Sequence, residues 1–215
     1  MNRYVAEFFA SFLMIFLGTG SMVLSDQTDG WFTHLDVSLS WGFAVGLGIF
    51  LFGRYSGAHM NPAVTISLTL LKAHPKQQLL PFLGLQFAGG IAASLLLAFL
   101  APEHEFLGSS LPSGSVMQSF YIEFLLTFAL MAVVLMSGWF KKGAIILVPL
   151  AIGGTVLLEA YFAGPTTGAS MNPARSLAPA IVSGHTEHLW VYLISTTLGA
   201  ISASGLWYLW KKRKA

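Results

Sequence analysis

The feature that limits the fold most is an internal duplication. SGAHMNPAVT at 56–65 returns as TGASMNPARS at 167–176, and RYVAEFFASFLMIFLG from residue 3 resembles SFYIEFLLTFALMAVV from residue 119. The second pairing aligns Glu7 with Glu123, 116 residues apart, while the shared MNPA motifs stand 111 apart, so the halves run in step with small insertions. Six apolar segments surround these motifs, at about 4–24, 36–54, 79–100, 117–138, 143–163 and 189–210. Each has about the 20 residues that a helix needs to cross roughly 30 Å of hydrocarbon. Three fall in each half, and three is odd, so the second half must enter the membrane from the opposite side. The chain is therefore read as a single all-α membrane domain, residues 1–215, with six transmembrane helices and inverted repeats over approximately 1–110 and 111–215. Inverted repeats of this kind place their sites near the bilayer midplane.

Composition and charge support that reading. The chain is 55% hydrophobic and 9% charged, against about 25% charged in soluble domains. So much apolar surface could not be hidden in a soluble domain of 215 residues. Arg3, Lys72, Lys76, Lys141, Lys142 and the tail Lys211, Lys212, Arg213 and Lys214 fall at the ends and in alternate connections; Asp26, Asp29, Asp36, Glu103, Glu105 and Glu187 fall in the others. The positive-inside rule then puts both termini in the cytoplasm and requires an even number of spans. Directly after LWYLW, the tail KKRK reads as a topology anchor in preference to a nucleic-acid or lipid-binding patch. Glu7 interrupts the long first segment and no clear cleavage site follows, which argues against a cleaved signal peptide.

There are no cysteines, so disulfides and thiolate metal sites are excluded. His34, His74, His104, His185 and His188 show no metal-ligand spacing. No nucleotide-binding loop and no paired catalytic carboxylates occur. The expectation is therefore no catalytic residue, no metal, no cofactor and no nucleic-acid partner.

The short motif segments carry the chemistry. After Asn61 comes PAVTISLTLLK, and after Asn172 comes PARSLAPAIV. Each offers Asn as N-cap and Pro at the first helical position, where its missing N–H costs nothing. Each apolar run is about ten residues, too short to span, so the two are expected to enter from opposite faces and meet near the middle. Irregular backbone at that depth must be buried or line a wet cavity. A capping Asn accepts a backbone N–H with its side-chain oxygen and leaves its NH₂ to donate. Two such amides, with the positive dipole ends of both half-helices, would hold a passing water as acceptor and repel hydronium and metal cations. Small neutral molecules with hydroxyl oxygens meet no such barrier.

Asn61-Pro62-Ala63 and Asn172-Pro173-Ala174, the inverted three-span repeat, and the paired Glu7 and Glu123 resemble the aquaporin, or major intrinsic protein, family. The likeness covers essentially the whole chain. It implies six tilted helices plus two re-entrant half-helices, and a passive pore in each protomer of a homotetramer in the plasma or inner cell membrane. It also implies a second constriction outside the centre, which carries over by spacing to Trp41, Ala160, Ala169 and Arg175. Water-selective members typically have Phe and His at the first two positions. Trp41 facing two alanines, with Arg175 as the polar edge, leaves a wider opening suited to polyols. AGP followed by GASMNPARS is similar to plant nodulin-like intrinsic proteins, and Trp with Arg to bacterial glycerol facilitators. Those resemblances imply glycerol-like polyols and neutral metalloid hydroxides such as arsenite as solutes beside water. Ser176 departs from the Asp that glycerol facilitators usually carry after the arginine, which favours a permissive water and small-solute pore over strict glycerol specificity.

Other residues are weighed by placement. Glu7 and Glu123 are expected to accept hydrogen bonds from the re-entrant loops rather than to relay protons. His59 is expected to be a loop hydrogen-bonding residue rather than a pH gate. Glu159, about 100° round the helix from Ala160, could brace Arg175 or the second loop, or enter the pore. Gly42 with Gly46, and Gly89 with Gly90, read as close helix packing. The rival readings are a strictly water-selective pore, an ion-coupled secondary transporter, and a membrane hydrolase built on Ser56 and His59, for which no oxyanion or metal constellation is present.

Overall fold

The computed structural model describes residues 1–138 and 146–214. Lys141 and Lys142 of the charge pattern, and the start of the segment expected at 143–163, lie outside the described residues. All regular structure among the described residues is helical, in the order α1 (Arg3–Gln27), α2 (His34–Ser56), α3 (Pro62–Leu70), α4 (Leu79–Leu100), α5 (Val116–Ser137), α6 (Leu147–Thr167), α7 (Pro173–Ser183) and α8 (Leu189–Lys214). A 3-10 turn over Lys76–Gln78 leads into α4. Six of these helices are long and apolar enough to cross a membrane, while α3 has 9 residues and α7 has 11. At about 1.5 Å per residue the two short helices together reach roughly 30 Å, about the depth of one hydrocarbon core. The order long, long, short, long occurs twice, as the duplicated sequence requires.

Several helices run past their apolar windows. The last continues through the cationic tail to Lys214, because backbone hydrogen bonding continues where the side chains have reached polar surroundings. The end of α6 has a different cause. It runs to Thr167 through an internal Pro165, whose missing N–H leaves the Tyr161 carbonyl without its helical donor. His34 Nε2, at the start of α2, lies 2.9 Å from that carbonyl oxygen. The helix thus passes its proline because a neighbouring helix completes the ladder.

Packing repeats the duplication. The most extensive pairings are α1 with α4, the equivalent α5 with α8, and α2 with its own counterpart α6. Small residues permit the close approaches. A Cβ on Gly89 would lie 2.3 Å from the Phe8 carbonyl oxygen, and one on Gly199 the same distance from that of Phe124. Across the α2–α6 crossing, a Cβ on Gly42 would lie 2.8 Å from the Gly153 carbonyl oxygen, and one on Gly153 2.6 Å from that of Gly42. Backbones meeting this closely are how helices gain packing where lipid supplies no hydrophobic drive. These crossings set the widths within which the short helices must fit.

Candidate functional site

The site begins where the two short helices start. Asn61 and Asn172 both hold extended backbone, and Pro follows each at the first helical position. Asn61 Oδ1 accepts the Ala63 N–H at 2.9 Å, and Asn172 Oδ1 accepts that of Ala174 at 2.9 Å. The amide nitrogens cross over: Asn61 Nδ2 donates to the Met171 carbonyl at 2.8 Å, and Asn172 Nδ2 donates to the Met60 carbonyl at 2.8 Å. The expectation of a wholly free NH₂ is therefore corrected. One N–H of each amide stitches the half-helices together, and the second is left for the lumen. Both asparagines wall a cavity with about 180 Å³ of room for water.

The loops that deliver these asparagines are strained in the same way twice. Gly57 and Gly168 end α2 and α6 with φ of 96° and 80°, a region that favours glycine. Then Ala58 and Ala169 take φ of 46° and 42°, and Met60 and Met171 take 52° and 55°. Non-glycine residues persist there only when their surroundings over-determine them. Two buried carboxylates do so. Glu7 Oε1 accepts the Ser56 hydroxyl and the His59 N–H, and Oε2 accepts the Met60 N–H at 3.0 Å and Gln86 Nε2 at 2.7 Å. Glu123 Oε1 accepts the Thr167 hydroxyl and the Ser170 N–H, each at 2.8 Å, and Oε2 accepts the Met171 N–H at 2.9 Å. Both carboxylates are fully buried.

Arg175, three residues past Asn172, is 1% exposed. Its Nη1 donates to the Gly108 carbonyl at 2.8 Å, and Nη2 reaches Met22 Sδ at 3.1 Å and the Gly168 carbonyl at 3.4 Å. The guanidinium carbon stands 4.6 Å from the Trp41 ring centroid, within cation–π range. Gly18 on α1 makes room for that indole, since a Cβ there would lie 2.4 Å from it. Trp41, Ala169 and Arg175 wall the cavity. Ala160 is buried in the same apolar cluster as Trp41 but is not among the residues that wall the cavity. Ser176 ties its loop down, donating to Ser110 Oγ at 2.9 Å beside Ser170. An Asp there would bring an acidic group into this buried hydroxyl cluster.

His59, outside the six spans, faces the cavity. Its Nδ1 lies 3.1 Å from Thr65 Oγ1, and its ring is 4.9 Å from that of His74. Glu159 does not line the cavity. Its Oε2 is buried without a hydrogen-bond partner among the described residues. Among the described residues no group of three or more His, Asp and Glu could hold a metal.

Sequence reasoning missed Gly18, Gly108 and Gln86. Gly18 carries a signal only as a small residue in an apolar helix. Gly108 acts through a carbonyl, which every residue has. Gln86, a lone amide in α4, could have been flagged as a buried polar group needing a partner.

Six apolar helices enclosing two half-helices, whose capped N-termini are stitched together over a cavity, define a multi-pass α-helical membrane channel. Comparison with known proteins gives the family. The sequence matches the family described as Major intrinsic protein over residues 1–208, and the chain belongs to that family of passive channels, which are not enzymes. It is similar to "Aquaporin NIP1-1" of Oryza sativa subsp. japonica, 36% identical over 96% of this chain and 72% of the relative. "Nodulin-26" of Glycine max is 36% identical over 96% of this chain and 76% of its own length. Among solved structures, the aquaglyceroporin from Plasmodium falciparum superposes with a TM-score of 0.86 at 24% identity, covering 95% of this chain and 94% of its own. That last likeness concerns the fold.

Proposed function

We propose that this channel passes water and small uncharged solutes of the glycerol class, with neutral metalloid hydroxides as further candidates, and rejects protons and ions. In this reading Asn61 and Asn172 supply the central donors, while Trp41, Ala160, Ala169 and Arg175 form the outer filter. Glu7, Glu123 and His59 support the loops. The observation that carries the solute range is the filter's composition: the guanidinium of Arg175 lies over the Trp41 indole, and both other positions are alanine. An amphipathic solute can slide its carbons along the indole while its hydroxyls meet the guanidinium. Pores of the aquaporin type select by diameter, lining donors and electrostatic barriers, and two methyl groups leave this filter wide. Relatives named aquaporins and a fold neighbour named an aquaglyceroporin agree with a mixed water and polyol range.

The same reading takes residues 1–110 and 111–215 as the inverted halves of one domain, both termini as cytoplasmic, the plasma or inner cell membrane as the site, and a homotetramer as the assembly. The filter assignment is tested by combining Trp41→Phe with Ala160→His and measuring stopped-flow swelling of proteoliposomes. Glycerol permeability is expected to fall by about tenfold or more, the scale of one lost or blocked pocket contact, while water permeability changes little. Equal losses for both solutes would remove Trp41 and Ala160 from the filter.

A further inference from the structure

Beyond the pore, the cationic tail acquires a second role from a groove that the sequence does not reveal. Near the C-terminal ends of α5 and α8 the two helices part over a groove of about 260 Å³. Phe128, Ala132 and Met136 form one wall, and Ala203, Leu206 and Trp207 the other. Trp210 closes its end, about 10 Å along the helix from Ala203 at 1.5 Å per residue. Immediately beyond stand Lys211, Lys212, Arg213 and Lys214, all exposed and all in the last turn of α8. The Lys211 ammonium lies 5.3 Å from the Trp207 ring centroid, and that of Lys214 4.2 Å from the Trp210 centroid. These contacts hold two of the charges over the rim of the apolar groove.

We propose that this groove and the four cations form one binding site for an anionic phospholipid, with an acyl chain between α5 and α8 and the phosphate among Lys211, Lys212, Arg213 and Lys214. Charge complementarity decides the occupant. Among the described residues the ion pairs are all made by histidines, and none of the four cations has a carboxylate partner. Nor could a neighbouring copy in the same orientation supply one. Of the nine Asp and Glu side chains, Glu7, Glu123 and Glu159 sit within α1, α5 and α6, and Asp26, Asp29, Asp36, Glu103, Glu105 and Glu187 cluster where α1 and α4 end and α2 and α8 begin. Since α8 crosses the membrane, that is the opposite side from its cationic end. No Asp or Glu reaches that side, and a leaflet rich in acidic lipid presents an anion at that depth. Tryptophans at a headgroup boundary fit the same placement. A topology anchor needs the charges alone; it does not need a groove that begins at their feet.

The test uses the full chain in phosphatidylcholine vesicles containing brominated lipid, with tryptophan emission as the readout. At equal mole fraction, brominated phosphatidylglycerol is expected to quench Trp207 and Trp210 at least about threefold more strongly than brominated phosphatidylcholine, as four cations beside an acidic headgroup require. Comparison with Trp207→Phe/Trp210→Phe isolates the signal of these two residues. Two variants should each abolish the preference while leaving water permeability unchanged: Ala132→Leu, which fills the groove, and Lys211→Gln/Lys212→Gln/Arg213→Gln/Lys214→Gln. Equal quenching by the two lipids would overturn the proposal. So would a preference that survives either variant, or protection of the two tryptophans by self-association in place of lipid.

Discussion

Glu123→Leu is expected to cost most of the protein's stability and to reduce water flux to the lipid background. Its carboxylate accepts two backbone N–H groups and the Thr167 hydroxyl in a fully buried setting. Leucine fills the space and accepts none of them. Each stranded buried donor costs about 1–3 kcal/mol, so the three together cost on the order of 3–9 kcal/mol. That is a large part of the 5–15 kcal/mol that stabilises a typical fold. The loss falls on a loop already holding Ala169 and Met171 at positive φ, and that loop presents both Asn172 and the Met171 carbonyl that Asn61 uses. Glu7→Leu should behave alike, with one N–H of Gln86 stranded as well while the other keeps Thr65. Thermal unfolding in detergent gives the stability and vesicle swelling the flux. Glu123→Gln, which keeps one acceptor oxygen, should fall between. A Glu123→Leu protein with unchanged melting temperature and flux would show that the loop holds its shape unaided.

The second large effect concerns charge. Arg175→Ala is expected to raise proton or cation leak by about tenfold to a hundredfold. A unit charge about 4 Å from the path acts with roughly 4 kcal/mol at an effective dielectric constant of about 20, near a thousandfold in rate at 1.4 kcal/mol per decade. The half-helix dipoles and the dehydration of the ion remain, so the observed rise should be smaller. Arg175→Lys keeps the charge and loses the planar fork that reaches the Gly108 and Gly168 carbonyls, so selectivity among neutral solutes should change before leak does. Leak is read from the decay of a pH gradient by an entrapped dye. A leak unchanged in Arg175→Ala would leave charge exclusion wholly to the central region.

Much of this arrangement was legible in the sequence, for identifiable reasons. Six apolar windows report the hydrocarbon depth directly, and duplication fixed the inverted arrangement because three spans reverse direction. The Asn-Pro pairs announced two helix starts through capping chemistry that operates within four residues. The repeat also paired Glu7 with Glu123, and burial of a carboxylate beside a strained loop leaves few other roles for it. Contacts between halves were not legible. That Asn61 donates to Met171, and Asn172 to Met60, depends on where two half-helices from opposite faces stop. No local pattern encodes that position. Gly18 likewise matters through the indole it admits from another helix, and His34 through a carbonyl that Pro165 leaves without a donor. In each case the signal lies in a pairing across the fold, while the sequence displays only one member at a time.

The most direct test of a neutral-solute pore follows three fluxes in one preparation of wild-type proteoliposomes. Stopped-flow scattering gives water and glycerol permeability, and an entrapped pH dye gives proton leak. Water and glycerol should both exceed protein-free vesicles by about tenfold or more, while proton leak stays at the protein-free rate, because lining donors admit neutral hydroxyls and the fixed positive potential rejects charge. Rapid water flux with glycerol at background, or a proton leak that rises with protein content, would contradict the account.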